Sequence, residues 1–465
     1  MKKINVGQIV KATEGKLICG NPEAQIWDVA IDSRKVKPES LFVVIRGENH
    51  DAHVFLPQVF EAGCMTAIVF DEKQAMAAAS EFIAKGHEIN LILVKDTVEA
   101  LGLLAKDYLD SLSVKKIAVT GSTGKTSTKD MVYFACKEKY NTVRTQGNYN
   151  NEIGLPLTVL GIDETAEVAI FEMGMDGQGQ IHYLAKIVRP EVAIITNVGI
   201  THMEKLGSRE NIFNAKMEIT DFMNEENLLI ISDGGDMLNA KTAAGNYRLK
   251  TIGFDGRSNF IISDIEDCGA DSISFTLETE FKTQYIKLNV GGRHNAINAS
   301  LAAAAALDIG VSMEEIVRGL QKLELTDKRL SIKGKNGIKV IDDTYNASPD
   351  SMKAGIDVLI STKGVRHVAV LGDMYELGES SEQYHKEVGM YAAQKGVNLV
   401  VGIGETAKFI ALGAEEADND ANVAYFESKE EFIEKLEEYV GIGDVILVKG
   451  SRGMAMEKIV NKILE

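Results

Sequence analysis

The chain has 465 residues, of which 45% are hydrophobic and 25% are charged, and its formal net charge is −18. At about 150 residues per domain, this length indicates two to four domains of an ordinary globular protein. The negative charge argues against a nucleic-acid-binding or anionic-membrane surface, but a local cluster of positive charge could still bind an anionic substrate.

The cysteines and the chain start indicate a cytoplasmic location. Four scattered cysteines lack the spacing of a metal site or a redox motif, which favours reduced buried thiols: Cys19, Cys64, Cys136 and Cys268. The residues after Met1 do not form the apolar core of a signal peptide. The longest uncharged run, near 295–307, is too short and too rich in alanine to span a bilayer. We expect a cytoplasmic monomer that binds no nucleic acid and does not insert into a membrane.

Residues 1–95 are predicted to form a small α/β domain, because strand-like apolar runs alternate with helical stretches. The predicted strands are 27–31, 41–45, 66–70 and 91–94, and the predicted helices are 53–62 and 72–85. Ser33 and Arg34 follow one strand, and Gly47, His50 and His53 follow the next. Serine and arginine at a strand exit suit a pyrophosphate, although a solvated loop is the more ordinary interpretation.

The second predicted domain, 96–325, contains the strongest motif. A helix over 97–109 leads into the apolar strand Ile117-Ala118-Val119, and GSTGKTS follows at 121–127. A strand, a glycine turn and a helix start are the context of a phosphate-binding loop, here shortened to G-x-x-G-K-T. Backbone amides and the helix N-terminus favour a polyanion, Lys125 adds positive charge, and the Thr126 hydroxyl can bind Mg²⁺.

Further polar residues follow the next strands of this domain. The loop GNYNNEIGLP at 147–156 contains three asparagines whose amides can bind a peptide backbone. The apolar strand 167–171 ends at Glu172, where an open sheet binds ligands, so Glu172 could bind a second metal ion or could be a solvated charge. His202 follows a third strand at 192–196, and Lys216 lies on a helix predicted over 209–222.

Taken separately, His202 has the ordinary interpretation of a structural histidine and Lys216 that of a surface lysine. Their shared position at strand exits around one nucleotide site is what favours function. Residues 259–290 alternate apolar and polar side chains and predict antiparallel edge strands. Asn295 and Asn298 then begin an alanine-rich helix on one face. They could bind a purine edge, or they could be a helix cap and a polar face.

The third predicted domain, 326–465, has a doubly wound α/β pattern. A hairpin pairs 329–333 with 338–342 through Asn336-Gly337, and DDTYNASP follows at 342–349. Further strands are predicted at 367–371, 399–403, 423–426 and 444–448. The last strand ends in the basic glycine loop 449–453, and the whole is Rossmann-like without the glycine fingerprint.

The ordered series GSTGKTS, FEMG, THME, NAKMEI, GRHNAINA, KRL and DDTYNASP resembles the Mur ligases, which use ATP to build the peptide of bacterial peptidoglycan. The resemblance covers nearly the whole chain. GNYNNEIGLP, DDTYNASP and LVKGSRGMAME are most similar to the branch that joins D-alanyl-D-alanine to UDP-N-acetylmuramoyl-tripeptide. Ser348 stands where asparagine is more usual, and the Asp-Asn-Pro-Arg signature of the third-residue branch does not occur.

The resemblance implies three domains: a UDP-substrate-binding domain at 1–95, an ATP-binding domain at 96–325 and a Rossmann-like domain at 326–465 that closes over the site. It implies ATP with two Mg²⁺ ions, and UDP-N-acetylmuramoyl-tripeptide and D-alanyl-D-alanine as substrates. The implied catalytic residues are Lys125, His202, Lys216 and Arg329. The implied nucleotide-binding residues are Gly121, Ser122, Thr123, Gly124, Lys125, Thr126, Ser127, Asn295, Asn298, Arg329 and Asp343.

The same resemblance implies metal ligands and substrate contacts. The metal ligands would be Thr126, Glu172, His202 and a carbamate on Lys216. The implied substrate residues are Ser33, Arg34, Gly47, His53, Asn148, Asn150, Asn151, Tyr345 and Asn346, with Lys449 and Ser451 as candidates for D-alanyl-D-alanine. Alternatives remain open: the sibling ligase that adds the third residue, a folylpolyglutamate-synthetase-like ligase, a phosphate-loop kinase or switch, and a non-catalytic UDP-sugar-binding protein.

Overall fold

The computed structural model describes residues 1–47, 51–324, 328–417 and 420–465. His50 and the predicted domain boundary at 325/326 lie outside these residues. The fold is mixed α/β with mostly parallel sheets, which confirms the predicted class. Within the described ranges, no helix is both long and apolar enough to cross a membrane.

The first stretch alternates strands and helices, as predicted. Its elements are β1 Ile4–Asn5, α1 Val6–Ala12, β2 Lys16–Cys19, β3 Gln25–Ile26, β4 Asp28–Ala30, β5 Ser40–Val43, a 3₁₀ turn Ala52–Phe55, α2 Leu56–Glu61, β6 Thr66–Val69, α3 Glu72–Ala84, β7 Asn90–Leu93 and α4 Thr97–Asp110. Strands β4, β5, β6 and β7 run parallel in that order, and β2 closes the far edge antiparallel to β7. The strands β1, β2 and β3 and the helix α1 were not predicted.

The next stretch contains the phosphate-loop motif. Its elements are β8 Lys115–Thr120, α5 Lys125–Lys137, β9 Thr142–Arg144, α6 Gly154–Leu160, β10 Val168–Glu172, α7 Gln180–Val188 and β11 Val192–Ile195. Strand β10 is parallel to β9, a short strand that the sequence patterns did not predict. Every residue of β10 and β11 is buried, as expected for strands covered on both faces.

The remainder of the second predicted domain adds strands to one side of β11. Its elements are α8 Met203–Leu206, α9 Arg209–Met217, a 3₁₀ turn Glu218–Thr220, β12 Leu228–Ser232, β13 Arg248–Gly253, β14 Phe260–Asp267, β15 Ile273–Glu278, β16 Thr283–Leu288, α10 Arg293–Asp308 and α11 Met313–Gln321. Strands β11 to β14 are parallel neighbours in chain order, and β14–β15–β16 are antiparallel. The predicted antiparallel strands are confirmed, whereas β12 and β13 were missed.

The last stretch is a six-stranded sheet with helices on both faces. Its elements are β17 Ser331–Lys335, β18 Ile338–Asp343, α12 Pro349–Ser361, β19 Arg366–Gly372, a 3₁₀ turn Gly378–Ser380, α13 Ser381–Gln394, β20 Leu399–Ile403, α14 Lys408–Glu416, β21 Asn422–Phe426, α15 Lys429–Glu434, α16 Leu436–Tyr439, β22 Asp444–Lys449, a 3₁₀ turn Arg452–Met454 and α17 Glu457–Ile463. The order is β17-β18-β22-β19-β20-β21, parallel except for β17.

The predicted hairpin is present, but β17 begins two residues later than expected. Asn336 and Gly337 both have positive φ, which suits the two-residue hairpin turn predicted from Asn-Gly. Leu330 also has a positive φ of 53°, so the chain bends there and cannot yet be extended.

Alternate residues of the strands in the last sheet pack into two hydrophobic cores, one on each face of the sheet. Val368 and Val370 pack into one buried cluster, and Ala369 and Leu371 pack into the cluster on the opposite face. Successive strand residues point to opposite faces, so a strand covered on both sides reads as a continuous apolar run. Because both faces of the strands are covered by apolar cores, the polar candidate site residues of this stretch lie at the strand ends.

The described chain divides into two compact units. The first comprises 1–118, 140–175 and 180–191, and the second comprises 119–139, 176–179 and 192–465. The division passes through β8, so this strand contributes its first four residues to the first unit and its last two to the second. The boundaries of the three predicted domains, at 95/96 and 325/326, remain a prediction.

Candidate active site

The phosphate loop joins the end of β8 to the start of α5. Gly121 has a φ of 148° and Gly124 a φ of 78°, values that favour glycine. A Cβ on Gly121 would lie 1.9 Å from Thr196 Oγ1, and one on Gly124 would lie 3.0 Å from Asn298 Oδ1. Both glycines are thus required by backbone conformation and by close neighbours. Gly124 caps α5, whose first residue is Lys125.

The loop is held from the end of β11. The backbone amide of Thr123 donates to Asn197 Oδ1 at 2.9 Å, and Asn197 Nδ2 donates to Thr123 Oγ1 at 2.5 Å. The amide of Ser122 donates to the carbonyl of Asn197 at 3.1 Å. These bonds position the loop amides before any ligand binds, which lowers the cost of ordering them around a phosphate.

The side chains at the start of α5 are close to the loop. Lys125 Nζ donates to the carbonyl of Gly121 at 2.7 Å and to that of Ser122 at 3.3 Å. Thr126 is buried and Ser127 is half-buried in the same first turn. The ammonium of Lys125 thus lies over the loop carbonyls. It could exchange these hydrogen bonds for one to a phosphate oxygen.

Asn295 and Asn298 lie on one buried face of α10, as predicted. Asn298 Nδ2 donates to Asn295 Oδ1 at 3.3 Å, and Asn295 Nδ2 donates to the carbonyl of Gly291 at 2.7 Å. Because Asn298 borders Gly124, the structure brings this pair beside the phosphate loop. This location supports the nucleotide-contact interpretation over an isolated polar face.

Lys216 is not a surface lysine, since its side chain on α9 is only 1% exposed. Burial, and after it the nearby ammonium of Lys125, hold the pKa of the Lys216 amine well below its usual range. A buried amine avoids the cost of desolvating a charge by losing its proton. The neutral amine is the form that reacts with carbon dioxide to give a carbamate.

His202 lies before α8 with a left-handed φ of 56°. Its Nδ1 is 2.5 Å from Oε2 of Glu376, which comes from the stretch after β19. This contact is the largest influence on the pKa of the Glu376 carboxyl and lowers it, but Nδ1 does not have the geometry of a hydrogen bond. A purely structural role for His202 would account for its contact with Glu376. It would not account for the left-handed backbone, a conformation that is common at functional sites.

In the first unit, Glu172 is the buried last residue of β10. Asn150 Nδ2 donates to Glu172 Oε1 at 2.9 Å, and the amide of Gly174 donates to the carbonyl of Asn150. Asn151 Oδ1 accepts from the amide of Gly154, the first residue of α6, at 2.8 Å. Asn150 therefore orients the predicted metal ligand, whereas exposed Asn148 keeps its side chain at the surface.

The loops after β4 and β5 are organised locally. Arg34 Nε and Nη2 each donate to the Asp32 carboxylate at 2.8 Å, and Ser33 Oγ donates to Gln58 Oε1 at 3.3 Å. The side-chain hydrogen bond from Arg34, above all, lowers the pKa of Asp32 to about 2. Arg34 itself remains exposed.

His53 and Gly47 have different environments in the neighbouring loop. The His53 ring is buried, lies 2.7 Å from Asp51 through Nδ1 and packs edge-on against Phe70. This contact set is that of a structural histidine that orders the loop. Gly47 is exposed and is the last described residue before 51.

Residues of the last stretch cluster after β18. The guanidinium of Arg329 stacks over the Tyr345 ring at 4.1 Å. Lys449 Nζ donates to Asp343 Oδ2 at 2.5 Å and to the carbonyl of Asn346 at 2.9 Å. Lys449 is nearly fully buried, so its charge fixes the segment after β18.

Ser451 also has an internal partner. It is buried, and its Oγ accepts from the amide of Tyr375 at 2.9 Å. This contact ties the end of β22 to the segment that follows β19. The roles predicted for Lys449 and Ser451 in substrate binding stay predictions.

Two carboxylates that contact the segment after β11 were not predicted from the sequence. Asp350, in the first turn of α12, accepts from the amide of Ile200 at 3.1 Å through Oδ2. Glu376 pairs with His202, as described above. Asp350 directly follows the DDTYNASP motif but is not part of it, and the partners of Asp350 and Glu376 are 150 and 174 positions away, so only the tertiary structure could show these contacts.

The chain was compared with known protein families and structures. Residues 119–306 match the Mur ligase middle domain, and residues 328–452 match the Mur ligase glutamate ligase domain. A relative in Bacillus subtilis (strain 168), UDP-N-acetylmuramoyl-tripeptide–D-alanyl-D-alanine ligase, is 38% identical over 99% of this chain and 98% of its own length.

The chain belongs to the Mur ligase family. A crystal structure of MurF from Acinetobacter baumannii superposes with a TM-score of 0.90 at 32% identity, covering 100% of this chain and 99% of that chain. MurF ligase from Thermotoga maritima, solved in complex with ADP, gives a TM-score of 0.80 at 27% identity, with coverage of 94% and 96%. The predicted family, fold class and ATP-dependent ligase activity of this Mur ligase are confirmed.

Proposed function

We propose that this Mur ligase joins D-alanyl-D-alanine to UDP-N-acetylmuramoyl-tripeptide in the cytoplasm, converting ATP to ADP and phosphate. The observation that carries the proposal is the full-length relationship to the Bacillus subtilis relative, at 38% identity over 99% of the chain. A shared phosphate loop alone would fit many nucleotide enzymes. The relationship extends beyond the ATPase part, over the residues expected to bind both substrates.

The proposed reaction has two steps. Two anions, the tripeptide carboxylate and ATP, react first, and the amine reacts second. A carboxylate oxygen of the tripeptide attacks the γ-phosphorus of ATP, the bond to ADP breaks, and an acyl phosphate forms. Lys125 and Arg329 would offset the negative charge that gathers in this step. The amine of D-alanyl-D-alanine then attacks the acyl carbon, loses a proton and displaces phosphate.

Two Mg²⁺ ions are expected from the family, and their proposed ligands are a mixed set of side chains, because the described residues contain no group of three or more His, Cys, Asp or Glu side chains that could hold a metal ion. Thr126 offers a hydroxyl, Glu172 a carboxylate and His202 an imidazole, while a carbamate on Lys216 would offer two further oxygens. The lowered pKa of the buried Lys216 amine favours the neutral form that carbamate formation needs. When bound, Mg²⁺ offsets phosphate charge, and it is commonly held by one or two carboxylates together with phosphate oxygens.

The first unit would bind the UDP-linked substrate. Ser33 and Arg34 follow β4, where an exposed arginine can bind a pyrophosphate bidentately, and Gly47 and His53 belong to the chain that follows β5. Asn148 and Asn151 would lie along the tripeptide. The domain boundaries at 95/96 and 325/326 belong to the same proposal.

The proposal is tested by supplying ATP with each pair of substrates and measuring both ADP and the mass of the product. UDP-N-acetylmuramoyl-tripeptide with D-alanyl-D-alanine should give a UDP-linked pentapeptide. UDP-linked dipeptide with a diamino acid, and a folate with glutamate, are the sibling reactions. Preference for either sibling pair would reject the proposal.

An isotope test separates the acyl phosphate from other routes. With ¹⁸O in the tripeptide carboxyl group, one labelled oxygen should appear in the released phosphate, because the carboxylate oxygen that attacked phosphorus leaves with it. Unlabelled phosphate would reject the intermediate.

A further inference from the structure

Arg329 lies between two residues with left-handed backbone conformations. Lys328 has a φ of 65° and Leu330 a φ of 53°, values that residues other than glycine rarely adopt. Such conformations cost energy and persist only where the surrounding structure fixes them, commonly at functional sites. The bend formed by residues 328–330 therefore depends on contacts that hold it in place.

The side chain of Lys328 is held from the far end of the last stretch. Its Nζ donates to Glu457 Oε1 at 2.7 Å, and Arg452 Nη1 donates to the same oxygen at 2.8 Å. Glu457 is the first residue of α17, and its side chain is 19% exposed. One carboxylate oxygen thus joins the chain before β17 to the 3₁₀ turn after β22.

The rest of the bend is held from β18 and the segment that follows it. The backbone amide of Tyr345 donates to the carbonyl of Lys328 at 3.2 Å, and the Arg329 guanidinium lies over the Tyr345 ring at 4.1 Å. The Leu330 side chain packs against the buried cluster that contains Ile341. Each residue of the bend thus has its own contact, and Glu457 supplies the one to the Lys328 ammonium.

The Arg329 guanidinium contains a buried donor that the protein does not satisfy. Its Nε has no hydrogen-bond partner among the residues that the structure describes. Buried polar groups are nearly always hydrogen-bonded, so an orphaned donor calls for an explanation. An oxyanion of a ligand is the partner that a guanidinium binds best. This observation agrees with the proposed role of Arg329 in offsetting phosphate charge.

Resting on the proposed function, we infer that Glu457 is a positioning residue that holds the 328–330 bend and so directs the Arg329 guanidinium towards the phosphates of ATP. Glu457 acts through Lys328 and not by contact with the nucleotide. Removing its charge releases the Lys328 ammonium and leaves the left-handed bend without one of its contacts. Arg329 then adopts other directions as well, and a smaller fraction of bound ATP meets it in the productive one.

The test is a double-mutant cycle that combines Glu457→Gln with Arg329→Ala. Glu138→Gln is the matched control, because the Glu138 carboxylate also lies between a lysine and an arginine, 2.6 Å from Lys322 Nζ and 3.6 Å from Arg318 Nε. Its side chain is 15% exposed, close to the value for Glu457. For each full-length protein, kcat for product formation and the dissociation constant of a non-hydrolysable ATP analogue are measured, and circular dichroism verifies folding.

Glu457→Gln should lower kcat about tenfold in the parental chain, a coupling within the range found for interacting residues. In the Arg329→Ala background it should change kcat little, because the residue through which Glu457 acts is absent. Lys328→Ala should give the same pattern, and Glu138→Gln should leave kcat unchanged in both backgrounds. Parental kcat in Glu457→Gln, equal losses in the two backgrounds, or a matching loss in Glu138→Gln would overturn the inference.

The measurement with the ATP analogue does not depend on amide formation. Arg329→Ala and Glu457→Gln should each weaken analogue binding, and the double variant should bind no more weakly than Arg329→Ala alone. A protein that makes no UDP-linked pentapeptide, yet shows this non-additive series, would reject the proposed function and leave the role of Glu457 standing. Pentapeptide formation with additive losses would reject the role of Glu457 alone.

Discussion

The phosphate loop of the second unit and the Ser33-Arg34 loop of the first are both expected to bind phosphates, but they are built differently. The phosphate loop is held by Thr196 and Asn197, more than 70 positions away. Arg34 is held by Asp32, only two positions away, and stays exposed. A loop fixed by distant contacts can support chemistry, whereas a locally fixed, exposed loop is suited to capturing a substrate.

The strongest test of this contrast is Lys125→Ala. Removing the loop ammonium should lower kcat by about a thousandfold, because charge that develops on the phosphates is no longer offset. ADP release and product mass are the measurements. Lys137→Ala, at the exposed end of the same helix, is the matched control and should leave kcat unchanged. A Lys125→Ala protein with parental kcat would show that the loop is not catalytic.

The second test concerns the buried neighbour of Lys125. Lys216→Ala should lower kcat about a hundredfold, since the oxygens of the proposed carbamate are lost. Acetate or propionate should restore part of the rate by replacing the missing carboxylate, and acetamide, which has no charge, should not. Absence of rescue by every short-chain carboxylate would contradict the carbamate.

The third test compares two carboxyl groups that both have a pKa of about 2, Asp32 and Glu457. Burial opposes the shift of Glu457, but hydrogen bonds from Lys328 and Arg452 outweigh it. Its ordinary pKa of 4.5 is higher, so its stabilisation is present above pH 4.5 and is lost as the pH falls towards 2.

Glu457→Gln should therefore lower the free energy of unfolding by about 2 kcal/mol at pH 7, and by much less near pH 2.5. Urea denaturation at the two pH values measures the difference. Asp32→Asn should change the urea midpoint less, because Asp32 has the single partner Arg34, whose side chain is 81% exposed, so solvent screens the pair. Equal destabilisation by the two substitutions would contradict this distinction between a carboxylate held by two cations and one held by a single exposed arginine.

The smallest expected effect is that of Arg34→Ala. The KM for the UDP-linked substrate should rise about tenfold with little change in kcat, as expected when a binding contact made equally in ground and transition states is lost. Arg257→Ala is a close control, since Arg257 also pairs with an exposed aspartate two positions away. A fall in kcat without a change in KM would place Arg34 in the chemistry instead of in capture.

Much of the fold could be predicted because its signals are local. The buried strands after residue 366 were found within a residue or two from continuous apolar runs, and the hairpin from Asn336-Gly337. Strands β12 and β13 were missed even though Leu228–Ser232 is apolar, and short β9 carries little pattern of its own. A two- or three-residue strand is defined by its neighbour, so its own sequence cannot specify it.

The residues of the candidate site also fall into two groups, those predicted from local sequence and those identified only in the folded structure. Sequence alone determined the phosphate loop, because glycine backbone freedom, the lysine charge and a helix start all lie within seven consecutive residues. It also suggested Lys216 and His202 as site residues, through their resemblance to the family motifs.

Only the tertiary structure decided that Lys216 is buried beside Lys125, that Asn150 orients Glu172, and that Glu376 contacts His202. These are contacts between side chains far apart in the chain. Their physical basis is the burial and distance that folding creates, which no local pattern of residues encodes.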